Sequence, residues 1–410
     1  MSNDKISIGR RKFVTGASTA ALAVGMGFPS ILKAQAAPIK IGILHPVTGP
    51  LAYSGTQGRT GAQMAIEAIN AAGGIKSMGG AKLEAVLGDA QSKPDVGVAE
   101  VERMNEAGVS AIVGPFASGI ALATTQAAAK YDLPHVVDVG VVDQVVSRGL
   151  KNTFRFGPGL SKIVDTAITN LAALNASASS PAKTVMIVHE ESAFGSGMAK
   201  ALNDKLPKHG LEILETISHP NPTRDFSNIV LKIKARKPDL IIPSNYYNEF
   251  VLLARTLQQE KVQAKAIYSI LGGAASNFRF VDEFNDAAQY IIDCNHWVDP
   301  RKPEAIALRK EVEDAKLYFT YELFLNHECV RLVADALETA KSSKRDALTA
   351  ALANSTWSKH MMPYGPTKFV DGQNEGAAPV NTQVVGKDIK VIFPAAFANA
   401  KPVYPMPARK

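Results

Sequence analysis

The chain has 410 residues, with 45 Lys and Arg against 38 Asp and Glu and a formal net charge of +7. The first 36 residues hold a net +4 of that excess, leaving +3 on a remainder whose basic and acidic side chains are interleaved; this argues against a phosphate-tracking surface and a nucleic-acid partner. The remainder is long enough for two domains, and 46% hydrophobic residues are enough to give each a core.

In chain order, the first predicted element is an export label over 1–36. Arg10, Arg11 and Lys12 form a basic start, 14–28 carries no charge, and Ala34-Gln35-Ala36 fits a cleavage site, so cleavage is expected near Ala36. The Arg-Arg-x-Phe core is similar to a twin-arginine (Tat) signal, although Gly9 stands where Ser or Thr is usual. The apolar stretch is shorter than the ~20 residues of a membrane span. No later uncharged segment reaches that length, so no membrane insertion of the mature chain is expected.

A strand–helix alternation follows. An apolar strand at 39–44 leads through a Pro/Gly-rich loop, read as running to Gly58, into a helix whose Ala62, Ala65, Ile66 and Ile69 share one face. Ala72-Gly73-Gly74 stops it. The unit recurs: strand 111–113, helix 119–131 and strand 136–139; strand 184–188 and helix 197–208; strand 240–242, helix 249–259 and strand 266–270. Such alternation predicts parallel sheets covered on both faces, and the repeated unit points to two related lobes. Ligands of such sheets sit outside the carboxyl ends of the strands.

The sequence contains no GxxxxGK[ST], HExxH, GxSxG or CxxC, and Gly157-Pro158-Gly159 lacks a third glycine for dinucleotide binding. Asp138 and Asp143 read either as a carboxylate pair or as solvated and capping residues. His327-Glu328-Cys329 reads as a weak metal candidate or as ordinary helix. Cys294 and Cys329 either pair in an oxidising compartment or stay as two buried thiols. No cofactor is implied.

The loop HPVTGPLAYSG at 45–55 and the helix GAQMAIEAINAAGGI at 61–75 resemble the periplasmic leucine/isoleucine/valine-binding protein family, the type I solute-binding proteins of branched-chain amino acid ABC importers. AIVGPFAS at 111–118, VHE at 188–190 with FGSG at 194–197, and DFS at 225–227 through KPD at 237–239 continue the match in family order. The resemblance implies an α/β fold of two Rossmann-like lobes with parallel sheets, joined by three crossovers near 155–159, 296–300 and 366–372. The first lobe would comprise 37–156 and 299–368, the second 157–298 and 369–410. The resemblance also implies a non-catalytic, monomeric periplasmic receptor that closes on a small organic solute and delivers it to a membrane permease. A sensor reporting the solute to a membrane receptor is the competing reading.

Family positions carried over by alignment place Ser118 and its neighbour Ala117 at a helix start that holds the ligand's carboxylate, a place where free N–H groups suit an anion. Ser118 also reads as a plain N-cap. Val139, Gly140 and Val141 match the second anchoring segment, with Val141 where amino-acid binders carry Thr. Phe194 stands at an aromatic position as Phe rather than Tyr. Leu271 falls where amino-acid binders place the acid that pairs with an ammonium. Tyr53, Ser54, Phe116 and Tyr246 complete the expected cleft. Tyr247 is a weaker candidate, and Trp297 reads as either cleft wall or hinge brace. A helix-start anion site without an ammonium partner predicts a carboxylate lacking an α-amino group, aromatic or branched; branched-chain amino acids and amides are the alternatives.

Overall fold

The computed structural model describes residues 37–409; the export label expected at 1–36 lies outside them. Two seven-stranded sheets form the framework. The first contains β1 (Ile39–His45), β2 (Leu83–Asp89), β3 (Ala111–Val113), β4 (His135–Val137) and β5 (Thr153–Arg155). The second contains β6 (Thr184–Glu190), β7 (Glu212–His219), β8 (Leu240–Ser244), β9 (Ala266–Ile270) and β10 (Ile292–Asn295). After the long helical return the chain adds β11 (Phe369–Val370) and β12 (Gln373–Asn374) to the first sheet, then β13 (Val380–Val385) and β14 (Asp388–Phe393) to the second. The first sheet runs β11-β12-β5-β4-β3-β1-β2 and the second β14-β13-β10-β9-β8-β6-β7, one order used twice.

The connecting helices are α1 (Ala52–Ala71), α2 (Pro94–Glu106), α3 (Ser118–Ala129), α4 (Leu160–Ser177), α5 (Ala193–Lys205), α6 (Ser227–Arg236) and α7 (Tyr247–Gln259). Two short helices, α8 (Phe278–Glu283) and α9 (Asn285–Ala288), follow β9, and α10 (Pro303–Asp314), α11 (Tyr321–Ala340) and α12 (Arg345–Ala353) make up the return. Central strands such as β3, β8 and β9 are buried along their whole length, which is why apolar residues dominate them. The edge strands β2 and β7 are half exposed and more polar.

Several expectations need correction. The loop read as running to Gly58 is already helix from Ala52, because α1 lies against α11 so closely that only glycine fits the contact. A Cβ on Gly61 would stand 1.9 Å from the Leu323 carbonyl oxygen. The helices after β6 and β8 likewise begin earlier, at Ala193 and Tyr247, where the chain leaves the strand ends directly. Phe369–Asn374 pairs with the first sheet through Gln373 and Arg155, so the final change of sheet falls after Asn374 rather than at 369. Within the return, α10 leans toward the second sheet, with Arg309 stacked 4.4 Å over Phe278 and 3.7 Å from Asp388. Cys294 and Cys329 are buried, unpaired thiols.

The α1–α11 contact carries Tyr321 to the cleft described below. Gly61→Ala should overpack it and lower stability by about 1–3 kcal/mol, read as a drop in the urea midpoint at unchanged slope.

Candidate binding site

The carboxyl ends of both sheets face a common cleft. From the first sheet, β3 ends at Val113 and the chain turns through Gly114 (φ +112°), where a Cβ would press on the Leu44 carbonyl, before α3 begins at Ser118. Ala117 is the N-cap and uses no side-chain cap, so Ser118 is the first helical residue and not the capping residue. Its hydroxyl reaches across to the loop after β4, where its oxygen accepts from the Val141 N–H at 3.1 Å and the Val142 N–H at 3.4 Å. With those lone pairs engaged, the hydroxyl offers its proton.

Arg155, at the end of β5, sets that loop. The guanidinium is almost wholly buried, and its Nη1 donates to the carbonyls of Gly140 (3.3 Å), Val141 (2.7 Å) and Val142 (2.8 Å). Its Nε donates to Gln373 Oε1 at 2.8 Å. Burial lowers its pKa to about 10, with nearby Asp143 pulling the other way, so the group stays charged at neutral pH. By gathering the carbonyls on one side, Arg155 leaves the N–H groups of Val141 and Val142 facing Ser118.

The second sheet supplies the opposite wall. Tyr246, the N-cap of α7, is sandwiched between Phe116 (centroids 5.7 Å) and Phe194 (5.6 Å), and its hydroxyl meets Ser192 Oγ at 3.2 Å. Glu190 beneath it is spent on Ser192 and on the Gly195 N–H. Leu271 holds φ +54°, the left-handed region costly for a leucine, on the turn after β9. Asp293 braces that turn from below, accepting from the Gly272 N–H and from Ser276 Oγ.

These groups close on a cavity of only about 20 Å³, room for about one water. Of the residues expected from sequence, Phe116, Ser118, Val139, Val141, Phe194, Tyr246 and Leu271 line it. Ala117 and Gly140 stand behind as N-cap and Arg155 contact. Tyr53 lies at the rim instead, stacked 4.1 Å from Tyr247 and donating to Asn277 Oδ1 at 3.1 Å, contacts that tie the two walls together. Ser54 is buried beside Glu322. Trp297 packs on Phe278, Phe319 and Phe324 and is not among the residues lining this cavity. Sequence reasoning missed Asn245, Gly273 and Tyr321. Only the Asn-Tyr-Tyr turn after β8 signalled the first, and Tyr321 arrives from a helix distant in sequence.

The ten lining residues include no charged side chain. A wider groove of about 430 Å³ between α3, α4 and α5 is open and edged by Asp143, Lys200 and Lys205, with no aromatic residue in its lining. Asp138 and Asp143 do not form a pair: Asp138 is buried and accepts from Asn326 at 2.7 Å, while Asp143 accepts from Ser161. His327 and Glu328 are engaged with each other, with Arg331 and with the Met361 N–H.

Residues 38–388 match the sequence family described as periplasmic binding protein. The chain belongs to the periplasmic binding protein family. Among curated relatives, this periplasmic binding protein is 26% identical over 388 residues to the Leu/Ile/Val-binding protein homolog 7 of Brucella abortus (strain 2308), covering 90% of this chain and 95% of the relative. Among solved structures, it shares the fold of the leucine binding protein LivK from Thermotoga maritima MSB8 (TM-score 0.75, 20% identity, 86% of this chain and 97% of that one). It also shares the fold of an R. palustris ABC transporter solute-binding protein in complex with benzoate (TM-score 0.72, 19% identity, 87% and 95%). These relatives are binding proteins, not enzymes. Among the described residues no helix is long and apolar enough to cross a membrane.

Glu322, next to Tyr321, is fully buried and neither carboxyl oxygen has a full hydrogen bond. Burial raises its pKa from 4.5 to about 7, against the pull of its own amide and of Ser54, Thr320 and Tyr321. The folded protein thus holds this proton more tightly than the unfolded chain, so folding stability falls as pH rises from about 4.5 to 7. Glu322→Gln should match the native protein near pH 4.5 and exceed its stability by about 3 kcal/mol at pH 8, checked by urea unfolding at both values.

Proposed function

We propose that this protein is the solute receptor of an ABC-type importer, exported to the periplasm, monomeric, and capturing a small carboxylate without an α-amino group. The observation that carries the reading is the polarity of Ser118. Its oxygen already accepts from two backbone N–H groups, so toward the cleft it presents a donor, beside the free N–H groups of the first turn of α3. A carboxylate accepts from such donors and is favoured at a helix N-terminus without a cationic side chain. Apart from Asn245 and Gly273, the remaining wall is aromatic and aliphatic, suited to an aromatic or branched body.

The Brucella relative is named for leucine, isoleucine and valine, and a Streptococcus pneumoniae neighbour of the same fold holds isoleucine, whereas the R. palustris neighbour holds benzoate. The uncharged lining around Leu271 supports the second kind of ligand, since an ammonium closed into it would lose its hydration without a counter-charge. Glu190 is saturated by Ser192 and Gly195, and Glu322 is not among the lining residues. In this reading the lobes are 37–156 with the return through Asn374, and the remainder through 409. They rock about the crossings near Arg155, His296 and Asn374. The solute stabilises the closed state by touching both lobes, the closed form docks on the permease, and no bond in the solute changes.

A thermal-shift panel tests the reading. Aromatic and branched carboxylates should raise the melting temperature, and leucine and valine should not. Ser118→Ala should weaken binding of the best acid by about tenfold or more, through loss of one hydrogen bond to a charged group. Strong stabilisation by leucine would contradict the proposal.

A further inference from the structure

Asn245 lies one residue past β8, is fully buried and lines the cavity. Its backbone carbonyl is tied to the Gly273 N–H at 3.0 Å, which fixes the residue on the cavity wall. Its side chain meets His219, the last residue of β7, through Nδ2 and the ring Nε2. Which way the carboxamide points follows from the other side of that ring.

His219 Nδ1 faces two oxygens, the Pro220 carbonyl at 2.9 Å and Thr223 Oγ1 at 3.1 Å. The carbonyl can only accept, and the Thr223 hydroxyl spends its proton on that same carbonyl at 2.6 Å. Nδ1 must therefore carry the hydrogen. Burial holds the ring's pKa below its ordinary value, so the imidazole is neutral and Nε2 presents a lone pair. A lone pair needs a donor, and the Asn245 amide group supplies it. The ring is further locked by Phe226, edge-on at 4.8 Å. The consequence is a carboxamide oxygen with no partner: Asn245 Oδ1 is buried and unbonded on a residue that lines the solute cavity.

We infer that Asn245, oriented by His219, selects a solute carrying a neutral hydrogen-bond donor, a hydroxyl or an amide N–H, at the end away from its carboxylate. The inference rests on the carboxylate reading above and deepens it. The cavity offers donors at Ser118 and an acceptor at Asn245, so the complementary solute is an acid at one end and a donor at the other. A hydroxylated aromatic acid has that pattern. A neutral amide oxygen does not offset a buried cation, so an ammonium is a poor occupant of the same place. A solute lacking the donor leaves Oδ1 buried and unpaired, the situation in which polar sites discriminate strongly.

The test is calorimetric titration of the full chain with matched pairs: benzoate and 3- or 4-hydroxybenzoate, phenylacetate and 4-hydroxyphenylacetate, benzamide and 4-hydroxybenzamide. In at least one pair the hydroxylated member should bind about tenfold or more tightly. Asn245→Leu should abolish that preference. His219→Phe, which keeps a ring against Phe226 but removes the acceptor that orients the amide, should reduce it; melting curves establish that each variant is folded. Equal binding of both members of every pair by the unaltered protein overturns the inference, whatever the variants do. So does a hydroxyl preference that survives both substitutions. Failure of the carboxylate reading looks different: the amide pair binds and the acids do not, and the donor preference is then read from the amide pair. If no pair binds, both the inference and the carboxylate reading are overturned.

Discussion

A buried cation without a bonded carboxylate organises the cleft. Arg155 has left water almost completely, and Asp143, its nearest acid, stands 3.7 Å away. What offsets the desolvation is a fan of neutral oxygens: three consecutive carbonyls from Gly140 to Val142 and the amide of Gln373. Each bond turns a peptide unit, so the guanidinium dictates where the opposite N–H groups point. Two of them point at Ser118, and the serine is left with a proton to give. The donor character of the proposed anion end thus originates behind the cavity, in Arg155, which is not among the lining residues. Arg155 also sits where the chain leaves the first sheet, and Gln373 on the returning strand donates to the Gly157 carbonyl at 3.0 Å. The same cluster therefore couples loop geometry to the first of the proposed crossings.

Across the cleft the contacts are of a different kind. Tyr246 between Phe116 and Phe194, and Tyr53 on Tyr247, are aromatic pairs, with Arg279 lying 5.0 Å over the Tyr53 ring. Such pairs contribute about 0.5–1.5 kcal/mol each beyond area burial, enough to hold two lobes near one another but not to lock them. On the proposed mechanism this balance matters, because a ligand shifts an equilibrium only by its difference in affinity for the two states. A polar, rigid floor and an adaptable aromatic seam divide the work between recognition and closure.

Much of this was legible in the sequence, for physical reasons that differ by element. Strands β3 and β9 stand where the reading put them, because a fully buried central strand has to be a short apolar run with turn residues at both ends. The edge strands β2 and β7 escaped because half-exposed strands dilute that pattern. The start of α1 was misplaced because glycine normally signals a turn, whereas Gly58 and Gly61 let α11 approach and Gly55 lets the Pro46 carbonyl approach. At the site, the segments that follow strand ends were readable, and they brought Phe116, Ser118, Val141, Phe194, Tyr246 and Leu271 to one cavity. What local pattern does not encode is the outcome of long-range pairing. Arg155 gave no hint of its carbonyl fan, Ser118 was as plausible a cap as a donor, and the direction of the Asn245 amide depends on a histidine from β7, two strands away across the sheet.

The most direct test of the account is a crystal structure of the protein with the carboxylic acid that most raises its melting temperature. The account predicts the carboxylate within hydrogen-bond distance of Ser118 Oγ and the first N–H groups of α3, with Arg155 still on the carbonyls of the Gly140–Val142 loop and not on the ligand. A carboxylate bound elsewhere in the cleft, or drawn onto the Arg155 guanidinium, would contradict it.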